Sequence, residues 1–178
     1  MSKFEIYSIY IKNLFYLAFK KLFYGNKLKF KLLQLLGKSC SVQIRGNGRV
    51  NFGRKLYTRS NFHLLVENGK CDIGNNCFFN HNCSITCIED IKIGDRCTFG
   101  NNVVLVDHDH NFRESSLNPL LSGEISIGEG TWVGANVVIL RGSKIGRNCV
   151  IAAGSIVKGD IPDNSIYLQK REVTIKTK

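Results

Sequence analysis

The stretch LVDHDHNF at residues 105–112 sets Asp107, His108, Asp109 and His110 directly after the apolar run Val103–Val106. An imidazole titrates near neutral pH and can accept a proton, and a neighbouring carboxylate can fix its tautomer. The same four groups could instead hold a cation or form a solvated turn. The remaining histidines are His63 and His81, and His81 follows Asn80 in FNHNCS, where the amide can both donate to and accept from a hydroxyl. The seven cysteines form no C-x-x-C pair, which argues against a zinc ribbon or a secreted disulfide framework and favours reduced thiols.

The scaffold for these groups is periodic. From Ile73 the chain reads IGNNCF, FNHNCS, ITCIED, then IGDRCT, FGNNVV, LVDHDH, and after a break IGEGTW, VGANVV, ILRGSK, IGRNCV, IAAGSI, VKGDIP. The first position is always Ile, Val, Leu or Phe, and the fifth is usually small or β-branched. A six-residue beat suits short strands joined by tight turns, with the first side chain filling the middle of a coil. Cys77, Cys83, Cys97 and Cys149 fall in the fifth slot and are expected to pack inward as compact apolar groups, whereas Cys40, Cys71 and Cys87 fall outside it. Between Leu105 and Ile127 the beat is lost, so a polar segment must leave the coil, and long excursions from compact repeats are usually functional.

These hexads resemble those of the hexapeptide-repeat acyltransferases over about Phe52 to Pro162. The resemblance implies an all-β fold, a left-handed parallel β-helix with one protruding loop, here preceded by an amphipathic helical segment. The expected divisions are a basic helical segment at 1–38, a β-helix at 39–165 with an active-site loop at about 107–124, and a tail at 166–178. The order of hexads, polar loop, hexads and IAAGSIVKGDIPDN is most similar to the sugar O-acetyltransferases of the galactoside and maltose type, including those acting on capsule and O-antigen. That likeness implies an acetyl-CoA-dependent transfer to a sugar hydroxyl of a bacterial surface polysaccharide or its precursor, in a homotrimer whose sites lie between subunits. N-acetylation of an amino-sugar nucleotide and a non-catalytic scaffold are the alternatives.

The resemblance also implies roles. His108 stands in the place of the catalytic base, with His110 as competitor and Asp107 or Asp109 orienting either ring. Asn80 matches an asparagine that contacts the acceptor across the subunit interface, and Asp107, His110 and Arg113 are further candidates for the acceptor. Ala135 offers a backbone N–H for an oxyanion. Trp132, Ala135, Ala153, Gly154 and Lys158 match the coenzyme A channel, while the family's Gly-x-Pro-Ala turn after Pro162 is replaced by DNSIYLQK, so Lys170 and Arg171 are the candidates for the adenosine end. No metal is expected, because the His81, His108 and His110 spacings differ from the triad of the zinc-dependent β-helical relatives.

The net charge of +11 is concentrated at one end: residues 1–70 hold 14 Lys/Arg against only Glu5 and Glu67. An anionic partner is expected there. Residues 4–24 read as an amphipathic helix, with Phe4, Tyr7, Ile11, Leu14, Phe15, Ala18 and Leu22 on one side. The run NKLKFKLLQLLG adds further lysines. Residues 1–36 could meet an anionic membrane surface, or cap the open end of the coil. Lys12, Lys20 and Lys21 interrupt the apolar stretch, which argues against a signal peptide or membrane span. The expected location is therefore cytoplasmic, with peripheral attachment to the inner face of the plasma membrane as an option. No nucleic-acid recognition module accompanies the charge.

Overall fold

The computed structural model describes residues 3–112 and 119–170. The chain winds as a parallel β-helix with three faces. The first face stacks Leu28–Phe30, Arg49–Phe52, Lys70–Ile73, Asp90–Ile93, Ile125–Ile127, Lys144–Ile145 and Asp160–Ile161. The second runs from Tyr57–Thr58 through Phe78–Phe79, Thr98–Phe99, Trp132–Val133 and Val150–Ile151 to Ile166–Tyr167. The third runs from Ser41–Arg45 through His63–Glu67, Ser84–Cys87, Val104–Val106 and Val138–Leu140 to Ile156–Val157.

The hexad beat explains this architecture, because each first-position residue lies in register with its equivalents one coil above and below. Three inward columns result: Phe52, Ile73, Ile93, Ile127, Ile145 and Ile161 on the first face, Phe79, Phe99, Val133 and Ile151 on the second, and Leu64, Ile85, Leu105, Ile139 and Val157 on the third. All are buried. Phe79 and Phe99 stack with ring centroids 4.2 Å apart.

Fifth-position residues close the gaps between coils. The thiols of Cys77, Cys83, Cys97 and Cys149 donate to the carbonyls of Gly94, Gly100, Gly128 and Pro162 at 3.1–3.2 Å. Thr131 makes the equivalent bond to Gly146 at 2.9 Å. A small side chain with a weak donor satisfies a carbonyl that no strand reaches, which is why Cys, Ser and Thr share this slot. Cys71 and Cys87 are also fully buried, and burial pushes both thiols above the ordinary range. They pack as apolar groups and stay protonated.

Tight corners need left-handed backbone, and asparagine tolerates it better than other non-glycine residues. Asn61, Asn82, Asn102 and Asn136 have φ between 57° and 61° and stack at the corner between the second and third faces. Their amides form a ladder: Asn61 donates to Asn82 at 3.0 Å, Asn82 to Asn102 at 3.1 Å, and Asn102 to Asn136 at 2.9 Å.

At the N-terminal end the helix Lys3–Tyr24 lies against the first coil. Leu17 is fully buried, and the Asn13 amide donates to the carbonyls of Gln34 and Leu36, each at 3.2 Å. Two expectations need correction here. The helical segment does not continue to residue 38, because Leu28–Phe30 is a strand of the first face, with Leu28 buried and Lys29 exposed in the two-residue alternation of a sheet edge. The docking side of the helix is also not its aromatic side: Tyr7, Ile11, Phe15 and Leu22 are exposed, as are Phe19 and Phe23. No helix among the described residues is long and apolar enough to cross a membrane.

Candidate active site

His108 sits where the third face turns toward the first. The strand Val104–Val106 delivers Asp107 to this corner, and Asp107 is fully buried. Its carboxylate accepts the Ile88 N–H at 2.9 and 3.1 Å and the Glu89 N–H at 2.8 Å, both from the same corner of the preceding coil. The remaining contact of Oδ1 is with His108 Nδ1 at 3.1 Å.

A carboxylate that already accepts backbone N–H groups has no proton to give, so His108 Nδ1–H must be the donor. In the neutral ring Nε2 then keeps its lone pair, and the ring is held by a buried carboxylate that two backbone N–H groups fix in place. Asp107 was expected either to orient a histidine ring or to face an acceptor. Its oxygens are buried and occupied, with one of them against His108 Nδ1, which suits the first of these roles and not the second.

Beyond His108 the chain does not run as an open loop. His108–His110 pairs antiparallel with Leu120–Ser122, and the Gly123 N–H donates to the Asp107 carbonyl at 2.9 Å, closing the base of this hairpin. Asp109 accepts from Arg141 Nε at 2.6 Å, which ties the hairpin to the same corner one coil further on. His110 lies at the exposed end. The two histidines are therefore distinguished: His108 has a buried carboxylate behind it, and Asp109 is committed to Arg141. Arg113 lies outside the described residues.

A groove of about 350 Å³ opens beside His108, lined by Leu65, Glu67, Asn68, Thr86, Ile88 and Leu120. Glu67, Asn68 and Thr86 carry no motif in the linear sequence. The signal for them lies in the coil phase, which puts residues 67–68, 88–89 and 107–108 at one corner of successive turns.

The other expected site residues sit elsewhere on the prism. Asn80 and Ala135 follow the second-face strands Phe78–Phe79 and Trp132–Val133, so they occupy the corner where the second face turns to the third. Asn80 stands outside the asparagine ladder, and its Oδ1 accepts the His81 N–H at 3.0 Å. Trp132 is 56% exposed on the second face. Ala153 and Gly154 share the corner of Ala135, where the Gly154 N–H donates to the Ala135 carbonyl at 2.7 Å. Gly134 is required there, since a Cβ would fall 2.6 Å from the Ala153 nitrogen. Lys158 is exposed at the corner of His108, two coils on. Within one chain, His108 and the Asn80–Ala135–Ala153 edge thus border opposite sides of the third face. Among the described residues no group of three or more His, Cys, Asp or Glu is placed to hold a metal ion.

Residues 72–106 match the family described as hexapeptide repeat of succinyl-transferase, and residues 124–159 match bacterial transferase hexapeptide (six repeats). The hairpin falls between them. The chain is 30% identical over 135 residues to the putative lipopolysaccharide biosynthesis O-acetyl transferase WbbJ of Escherichia coli, covering 69% of each protein. The chain belongs to the hexapeptide-repeat acetyltransferase family. It is also 30% identical over 147 residues to a galactoside O-acetyltransferase of Lactococcus lactis, covering 76% of this chain and 59% of that protein. It spans roughly three-fifths to two-thirds of the length of these relatives. The fold is that of AntD, an N-acyltransferase from Bacillus cereus solved with dTDP-4-amino-4,6-dideoxyglucose and coenzyme A, at TM-score 0.66 and 18% identity, covering 90% of this chain and 88% of that one.

Proposed function

We propose that this protein transfers an acetyl group from acetyl-CoA to a hydroxyl of a sugar in a bacterial surface polysaccharide or its precursor. The observation that carries the reading is the buried Asp107 behind His108, which leaves Nε2 as a base at the mouth of a groove. In the reaction Nε2 takes the proton of the acceptor hydroxyl as its oxygen attacks the thioester carbonyl. Collapse of the tetrahedral intermediate expels the coenzyme A thiolate, which recovers the proton from the imidazolium. The Ala135 N–H is the proposed oxyanion donor. Acetyl-CoA would lie along the Trp132, Ala135, Ala153 and Gly154 edge, with Lys158 toward its phosphates.

This assignment needs two copies of the chain, because the base and the donor edge are on opposite sides of the third face. The outer surface of that face is apolar in its later coils, where Val104, Val138 and Ile156 line up in register and Val106 pairs with Leu140. Such a surface suits burial against a neighbour, and a trimer brings the Asn80 edge of one copy to the His108 corner of the next. The exposed aromatic side of the helix Lys3–Tyr24, with Lys12 and Lys21, is proposed to rest on an anionic membrane surface. Deleting residues 1–24 would then abolish vesicle binding, and retention of binding would refute that part.

The test of the reaction is mass spectrometry of surface glycans incubated with the protein and isotopically labelled acetyl-CoA. The expected product carries the label as an ester removed by mild base. A label that survives mild base identifies an amide and contradicts the hydroxyl as acceptor.

A further inference from the structure

A second concavity lies on the first face, at the junction of the helix and the first three coils, with a volume of about 850 Å³. Its charge is one-sided. Lys27, Lys29, Arg49 and Lys70 line it against the single acid Asp72, which is paired with Lys70. Lys29 and Arg49 form no ion pair among the described residues, and register explains why. Lys29 is opposite Asn51 and Arg49 is opposite Lys70, so neither faces an acid across the coils, whereas Asp72 is taken by Lys70 and Lys92 in the next coil by Asp90 and Glu124. Lys27 is held in place by donating to the Gly46 carbonyl at 2.6 Å, which leaves its other N–H groups free to donate. Tyr24, the last residue of the helix, also lines the cavity, and Lys20 Nζ lies 5.7 Å from the centroid of its ring.

We propose that this cavity binds a diphosphate group. Three cations without acid partners among the described residues, one of them a guanidinium able to grip two oxygens at once, match a ligand carrying more than one negative charge. The volume exceeds what a lone phosphate fills, and Tyr24 offers an aromatic face for an attached sugar. The cavity and the groove of His108 have neighbouring lining residues. Asn47 lines the cavity and donates its backbone N–H to Asn68 Oδ1 at 3.0 Å, and Asn68 lines the groove. From the Arg49 coil to the His108 corner is three coil spacings, about 14 Å along the axis. A diphosphate held at Lys29 and Arg49 would leave a short glycan extending along the corner to the base. The site therefore anchors a diphosphate-linked acceptor, and this use rests on the proposed acetyl transfer, whereas the binding itself does not.

The experiment is calorimetric titration of the full chain with inorganic pyrophosphate in the absence of any acetyl donor. It compares the wild type, the double variant Lys29→Gln/Arg49→Gln, and Lys144→Gln, which removes a lysine of the same face outside the cavity. The expected result is saturable binding, weakened at least about tenfold in the double variant and unchanged in Lys144→Gln. Both substituted side chains of the double variant are exposed, so circular dichroism should report an intact fold. Absence of saturation, or equal affinity in wild type and double variant, overturns the proposal. Competition then identifies the source of the diphosphate. Displacement by uridine diphosphate assigns a soluble sugar nucleotide, displacement by vesicles carrying an isoprenyl diphosphate assigns a lipid-linked sugar, and displacement by neither overturns the role as an acceptor anchor.

Discussion

Asp107→Asn separates the positioning of His108 from the stability of the corner. The two carboxylate oxygens divide their work: Oδ1 faces His108 Nδ1 and Ile88 N, while Oδ2 faces Glu89 N and Ile88 N. In the variant one oxygen becomes an NH₂. If it replaces Oδ2, the Glu89 N–H meets a donor and loses its acceptor, which costs about 1–3 kcal/mol. If it replaces Oδ1, the remaining oxygen keeps both backbone donors and only His108 must adapt, by moving its proton from Nδ1 to Nε2. The second arrangement is the cheaper one and should prevail. It leaves the fold within about 1 kcal/mol of wild type but blocks the base, so kcat should fall about 10²- to 10⁴-fold with little change in KM for acetyl-CoA. Asp107→Ala differs, because both backbone donors lose their acceptor and the corner should weaken by about 2–6 kcal/mol. Free thiol release from acetyl-CoA gives the rates, and thermal melting gives the stabilities. An asparagine variant with kcat within about threefold of wild type would refute the positioning argument.

Further outcomes follow from the packing and the charge pairs. Phe99→Ala removes the stacked partner of Phe79 from a closed column and should lower unfolding free energy by about 3–5 kcal/mol in denaturant titration, with a loss below 1 kcal/mol contradicting the column as the core. Arg141→Ala frees Asp109, so amide exchange at 108–110 and 120–122 should accelerate while the coils remain protected; unchanged exchange would show the tie to be idle. The Asn75 amide and N–H hold the Asp95 carboxyl below its usual range, and the Arg147 N–H and guanidinium do the same for Asp163. Both groups therefore add stability above the unfolded-state carboxylate value, lost as pH falls through the lower folded value, so Asp95→Asn should show a shallower acid transition than wild type.

The coil was legible because its physics is local. A first-position apolar residue, a small fifth residue and a left-handed Asn or Gly recur often enough that phase alone assigns Phe79, Phe99 and Val133 to one column. The strand Leu28–Phe30 escaped the pattern because Lys29 interrupts a short apolar run that reads equally as helix or strand. The orientation of the N-terminal helix was hidden for a related reason: docking depends on Asn13 finding the Gln34 and Leu36 carbonyls, and an amphipathic wheel counts Asn13 as polar surface. At the site, the DHDH motif pointed to a base but could not rank the two acids. That ranking comes from Ile88 and Glu89, whose backbone donors occupy Asp107 and are visible only once the coils are stacked.

The central claim is that His108 is the base of acetyl transfer, and the most direct measurement is turnover of acetyl-CoA with a glycan acceptor by His108→Ala and His110→Ala beside wild type. The account predicts a loss of about 100-fold or more for His108→Ala, with coenzyme A affinity and melting temperature retained, and a change within about threefold for His110→Ala. The reverse order, with His110→Ala crippling and His108→Ala mild, would contradict it.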